Sequence, residues 1–201
     1  MAQLEAAIAG LPPDEAGLRV HGIEALKPLL ASTGCIGAVA ASALGERAKP
    51  VRAILFNKSP ETNWSLTWHQ DRTICVKEKR EVAGFGPWTV KSGMHHVAPP
   101  FELLASMVTL RAHLDDVPAT NAPLLIAPGS HALGRIPVTE VDDIVRRCGT
   151  KVCLAETGDI WLYSTPILHA SEMASAPSRR RVLQVDYAAQ DLPRGLDWLG
   201  V

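Results

Sequence analysis

The chain has 201 residues, which at roughly 150 residues per domain fits one domain with a proper core. Lysine and arginine number 20 against 21 for aspartate and glutamate, and a net charge of −1 leaves no overall field to hold a nucleic acid or an acidic membrane surface. With 47% hydrophobic and 20% charged residues the composition is that of a folded chain, and no apolar run approaches the ~20 residues of a membrane span.

The opening Met1-Ala2-Gln3-Leu4-Glu5 has no basic n-region or long apolar core of a secretory signal, so a cytoplasmic protein is expected. Cys35, Cys75, Cys148 and Cys153 contain no C-x-x-C pair and read as reduced thiols. Leu4, Ile8 and Leu11, then Ile23, Leu26, Leu29 and Leu30, recur at helical spacing, with Pro12-Pro13 between the two runs. A third short helix is expected over residues 36–44, ending at Gly45.

From Val51 the period changes to two. Residues 51–56, 65–68, 73–76, 107–114, 124–127, 152–154, 160–163 and 182–187 are short apolar or alternating runs bounded by Pro, Gly, Asn and Asp, and read as strands. Residues 79–100, with Gly84, Gly86, Pro87, Gly93, Pro99 and Pro100, look too irregular for a simple hairpin. They are expected to form a mobile lid with Phe85 and Trp88 near its tip. Residues 139–147 read as an inserted helix capped by Thr139. The expectation is a mainly β domain over 1–201, with a helical layer (1–48) packed on a double-sheet jelly roll (51–190).

His69 and Asp71 stand two apart at a strand end, where the period of two points both to one face, and His169 follows the strand opened by Gly158-Asp159. Two imidazoles and one carboxylate on one face of an octahedron suit Fe(II) oxygenases because three positions stay open. H-x-D alone is weak evidence; what strengthens it is Arg179-Arg180-Arg181 opening the last strand, where a guanidinium can clamp a carboxylate bidentately. Alternation sets Arg180 opposite to its two neighbours. Of the other histidines, at most one of His95 and His96 can reach a shared site, His131 reads as structural, and His21 and His113 as ordinary surface or sheet residues. Trp64, Trp68 and Trp88 lie around the metal motif, and Trp161 reads as core.

His69-x-Asp71, Leu114-Asp115-Asp116, Asn121-Ala122-Pro123-Leu124, Pro128-Gly129-Ser130-His131, Gly158-Asp159, His169-x-Ser171 and the arginine that follows resemble, in order, the phytanoyl-CoA dioxygenase family of Fe(II)- and 2-oxoglutarate-dependent oxygenases. The resemblance covers residues 51–190 and implies a double-stranded β-helix of cupin type. It matches His69, Asp71 and His169 to the iron ligands and Arg180 to the residue holding the far carboxylate of 2-oxoglutarate. Ser171, Trp88 and Gln70 are implied as neighbours of that cosubstrate. O2 is the third reactant, and an unidentified small molecule would be hydroxylated with release of succinate and CO2.

One departure is Ala122, where the family has glycine; it suggests a turn without positive φ. Three rival readings fit the residues less well. A halogenase needs the carboxylate position for halide, and Asp71 fills it. A sensory jelly roll without turnover has no use for intact ligands and Arg180. A cupin-type isomerase or hydrolase would leave that arginine unexplained.

Overall fold

The computed structural model describes residues 1–13 and 15–201. In chain order its elements are α1 (Ala2–Ile8), β1 (Gly17–Val20), α2 (Lys27–Leu30, led in by a 3-10 turn), α3 (Gly37–Leu44), β2 (Lys49–Lys58), β3 (Leu66–His69) and β4 (Ile74–Val76). Then come β5 (Trp88–Lys91), β6 (Met94–Val97), α4 (Phe101–Ala105), β7 (Val108–His113), β8 (Leu124–Ile126), α5 (Val141–Cys148), β9 (Lys151–Cys153), β10 (Ile160–Ser164), β11 (His169–Ser171) and β12 (Arg180–Ala188). A five-stranded sheet, β1-β2-β12-β7-β10, and a four-stranded sheet, β3-β11-β8-β9, make the two walls of a jelly roll, and every pairing is antiparallel.

Strand alternation sorts the large sheet into two chemically different faces. Leu183, Val185 and Tyr187 of β12 and Leu110 of β7 face outward and pack with Leu4, Ile8, Leu26 and Leu30 of the N-terminal layer. The Tyr187 hydroxyl is satisfied by donating to the Leu30 carbonyl at 3.0 Å, so burying the phenol leaves no polar orphan. The intervening residues face inward, and the register groups them in rows: Arg52, Asp186 and Thr109; Arg19, Ile54, Gln184 and Arg111; Phe56, Val182 and His113; Lys58 and Arg180. This inner face is polar and largely cationic, which a structural core has no reason to be.

Each of the eight expected strands is present. Four others were not expected. β1 interrupts the N-terminal helices as an edge strand on β2, and β11 is only three residues long. β5 and β6 form a hairpin inside the segment read as a lid. Lys91 pairs with Met94 across a two-residue turn, Ser92-Gly93, with φ of 50° and 74°, and β6 pairs in turn with β4. Phe85 is buried rather than at a tip, packed with Val82, Val97 and Trp198. The second half of this segment is therefore a hydrogen-bonded hairpin tied to β4 rather than an irregular loop. Thr139 is no cap either: it lies in a 3-10 turn before α5, whose N-cap is Glu140, without a side-chain bond.

Candidate metal centre and cosubstrate site

His69 and His169 are direct partners across β3 and β11, with ring centroids 4.3 Å apart. Asp71 follows two residues beyond His69. One ligating atom from each of the three lies within 4.8 Å of the others. Both imidazoles are oriented by their own strands: His69 Nδ1 donates to the Thr67 carbonyl at 2.8 Å, and His169 Nδ1 to the Ile167 carbonyl at 3.0 Å. A carbonyl only accepts, so the proton sits on Nδ1 and the Nε2 lone pair is free for a metal. Burial, aided by His69 and Arg111, pushes His169 down to about 4, so that it is a neutral donor at pH 7.

Burial works against the Asp71 carboxylate, but Arg52 and the two histidines hold it below the ordinary carboxylate range. Arg52 is the pivot, with Nη2 at 3.2 Å from Asp71 and Nε at 2.6 Å from Asp186. Asp186 also accepts from the Thr109 hydroxyl at 2.9 Å. Two imidazole nitrogens and one ionised carboxylate, from β3, the turn after it and β11, are a fitting set for Fe(II), leaving coordination positions open.

Past the histidines, Lys58 and Arg180 stand directly opposite each other on β2 and β12, each only 3% exposed. Like charges in this position repel. Among the described residues neither has an acidic partner. Lys58 donates to the Trp64 carbonyl at 2.6 Å and to Ser171 Oγ at 3.2 Å, and Arg180 to the Ala122 carbonyl, while Arg180 Nε is buried without a partner. Burial first, then neighbouring cations, lowers Lys58 to about 8 and Arg180 to about 9. The neighbouring arginines point elsewhere: Arg179 is exposed, and Arg181 pairs outward with Asp115 and Glu5. Two buried cations without an acid beside them, one with a free N–H at Arg180 Nε, are chemically suited to a carboxylate.

A family model described as phytanoyl-CoA dioxygenase (PhyH) matches residues 25–182, well over half of the sequence. The chain belongs to the phytanoyl-CoA dioxygenase family. Membership puts it in the class of non-haem iron, 2-oxoglutarate-dependent oxygenases. Among solved structures, EctD from S. alaskensis in its apo form is similar with a TM-score of 0.65 and 16% identity, over 100% of this chain and 70% of that one. AviO1 from Streptomyces viridochromogenes gives 0.62 and 20%, over 96% and 86%. EvdMO1 gives 0.54 and 22% over 78% of this chain, which spans only 30% of EvdMO1. These likenesses support the jelly-roll fold. No curated protein sequence matches.

Within the family frame, the sequence-predicted residues divide. His69, Asp71 and His169 come together, and Ser171 joins Arg180 at the shared Ala122 carbonyl, to which its hydroxyl donates at 3.2 Å. Gln70 lines the cavity, but its amide is consumed: Nε2 donates to the Gly134 and Pro166 carbonyls at 3.0 and 2.8 Å, and Oε1 accepts from Ile136 N–H at 2.9 Å. It braces the turn carrying Asp71 rather than offering a free group to a cosubstrate. Trp88 packs on the β4–β6 wall and does not line the cavity that holds His69. Sequence reasoning missed Lys58, Arg52 and Arg111, which only the register of β2, β12 and β7 brings inside.

Ala122 corrects a second expectation: its φ is +51°, left-handed despite the missing glycine. The conformation aims its carbonyl at Arg180 and Ser171. A non-glycine residue there costs about 1–2 kcal/mol, of which the greater freedom of an unfolded glycine takes back about half. Ala122→Gly is expected to stabilise the protein by about 0.5–1 kcal/mol. The check is a higher denaturant midpoint with unchanged slope.

Proposed function

We propose that the protein is a dioxygenase that hydroxylates a small molecule, R–H + O2 + 2-oxoglutarate giving R–OH + succinate + CO2. The observation that carries this reading is the buried pair Lys58 and Arg180, without an acidic partner among the described residues, beside a His-Asp-His donor set. His69, Asp71 and His169 would hold the iron, and Arg180, Lys58 and Ser171 the distal carboxylate of 2-oxoglutarate. The bound iron supplies the oxidising power that O2 lacks toward a C–H bond, coupled to decarboxylation of the cosubstrate.

The rest is the work of the chain. The Nδ1 bonds to Thr67 and Ile167 keep both Nε2 atoms aimed inward without a metal present. Arg52 keeps Asp71 ionised and oriented. Lys91 of β5 lines the same cavity, so the β4–β6–β5 sheet would help to limit water at the reacting centre. Support from relatives is indirect: EctD has been solved with bound Fe, and with 2-oxoglutarate and 5-hydroxyectoine. Four free thiols fit a reducing compartment, and we place the reaction in the cytoplasm.

The deciding experiment is slow 2-oxoglutarate decarboxylation by purified protein with Fe(II) and O2, without substrate. Succinate and CO2 in equal amounts, abolished by a chelator, are expected. Neither turnover nor 2-oxoglutarate binding would hand the fold to the sensory or the cupin-hydrolase reading.

A further inference from the structure

We infer that the mouth of the site is built for an anionic substrate, a small molecule bearing a carboxylate or a phosphate monoester, and that Arg19 meets that group. This rests on the oxygenase reading above. The cavity in front of His69, Asp71 and His169, about 420 Å³, is lined by four cationic side chains, Arg19, Arg72, Lys91 and Arg111, and by a single acid, Asp71. Asp71 is already engaged by Arg52 and belongs to the metal set. Among the described residues none of the four cations forms an ion pair. The charges of Fe(II) and of the 2-oxoglutarate dianion cancel, so loading the site leaves this positive excess in place. Lys58 and Arg180, the cations assigned above to the cosubstrate, are not among the residues lining this cavity.

Two of the four have other partners. Arg111 donates from Nε and Nη2 to Gln184 at 3.0 and 2.8 Å, and Arg72 to the Ile136 carbonyl at 2.5 Å. Lys91 is exposed at the rim. Among the described residues Arg19 has no hydrogen-bond partner, and its Nε is buried. On β1 it pairs with Ile54, in the inward row of Gln184 and Arg111, whereas Val20 beside it is buried in the outer core. A half-buried guanidinium without a partner is a desolvation penalty that an incoming oxyanion removes, and its planar fork matches carboxylate and phosphate alike. A cleft with one sign of charge also raises the local concentration of the opposite one. The remaining lining, Ile54, Phe56 and Leu66, suits an apolar body behind the charged head.

The test uses full-length protein loaded with redox-inert Zn(II) and 2-oxoglutarate, titrated calorimetrically with phenylacetate, phenyl phosphate and uncharged phenylacetamide. At least one acid is expected to bind roughly tenfold or more tightly than the amide, with the advantage shrinking at high salt. Arg19→Gln should abolish that preference and Arg19→Lys restore part of it. Preference for the carboxylate over the phosphate, or the reverse, names the head group. Equal affinity for acid and amide, no binding of either acid, or an unchanged preference in Arg19→Gln overturns the inference. A wild type that takes up no 2-oxoglutarate with metal sinks the oxygenase reading itself; uptake with no preference for the acids sinks only the substrate class.

Discussion

Anaerobic His169→Ala protein is expected to bind no Fe(II) at concentrations that saturate the wild type, and to lack the weak visible charge-transfer band of an Fe(II)·2-oxoglutarate chelate. His169 is buried, neutral and fixed by its Nδ1 bond, so its Nε2 is the donor the site holds most rigidly. Without it, His69 and Asp71 remain as two donors from a single strand end. Removing a mere outer partner of a metal ligand costs about 10–100-fold in affinity, and losing a ligand should exceed that. His96→Ala is the matched control, since His96 is also buried but sits on β6, outside the donor group. A normally folded His169→Ala protein with the full band would falsify the ligand assignment.

The second large effect concerns the cosubstrate. Arg180→Ala should leave Fe(II) binding intact while raising the 2-oxoglutarate concentration needed for the band by two to three orders of magnitude, in line with about 3–5 kcal/mol for one partner of a buried charge pair. If Arg181→Ala does this and Arg180→Ala does not, the inward face of β12 has been misread. The pair also sets a pH response. Burial, and then Arg180 and Arg111, lower Lys58 from its ordinary 10.5 to about 8 in the folded protein, so between those limits the unfolded chain holds the extra proton. Stability of the ligand-free protein should therefore rise with pH across that window. The gain from saturating 2-oxoglutarate should run the other way, falling above pH 8 as the ammonium is lost. Thermal unfolding at pH 7 and pH 9, with and without the cosubstrate, reads both signs.

The His69, Asp71 and His169 cluster, the proposed metal donors, was legible because its signal is local. Histidine and aspartate two apart at a strand end share a face whatever lies elsewhere, and the spacing from His169 to Arg180 survives in the sequence. Lys58 was illegible for the opposite reason. Its meaning comes from standing across from Arg180, 122 positions later by number, a pairing that only the β2–β12 register supplies. The hairpin of β5 and β6 had a local signal that the density of glycine and proline around it masked: Ser92-Gly93 between two four-residue runs suits a two-residue turn with both residues at positive φ. Ala122 shows the limit of reasoning from residue type. Glycine marks positions that need positive φ, but tertiary hydrogen bonds to Arg180 and Ser171 hold alanine there regardless.

The pairing of His69 with His169 has a mechanical side. β3 is the outermost strand of the small sheet, four residues long, joined to β11 alone, and the ladder between them slips just after His169. On the proposed ligand set, an ion gripped from both strands at the His69–His169 pair would be a stitch along a frayed hem. Chemistry and architecture would then share a single fastening, and the protein without that ion would be expected to come apart first along this seam.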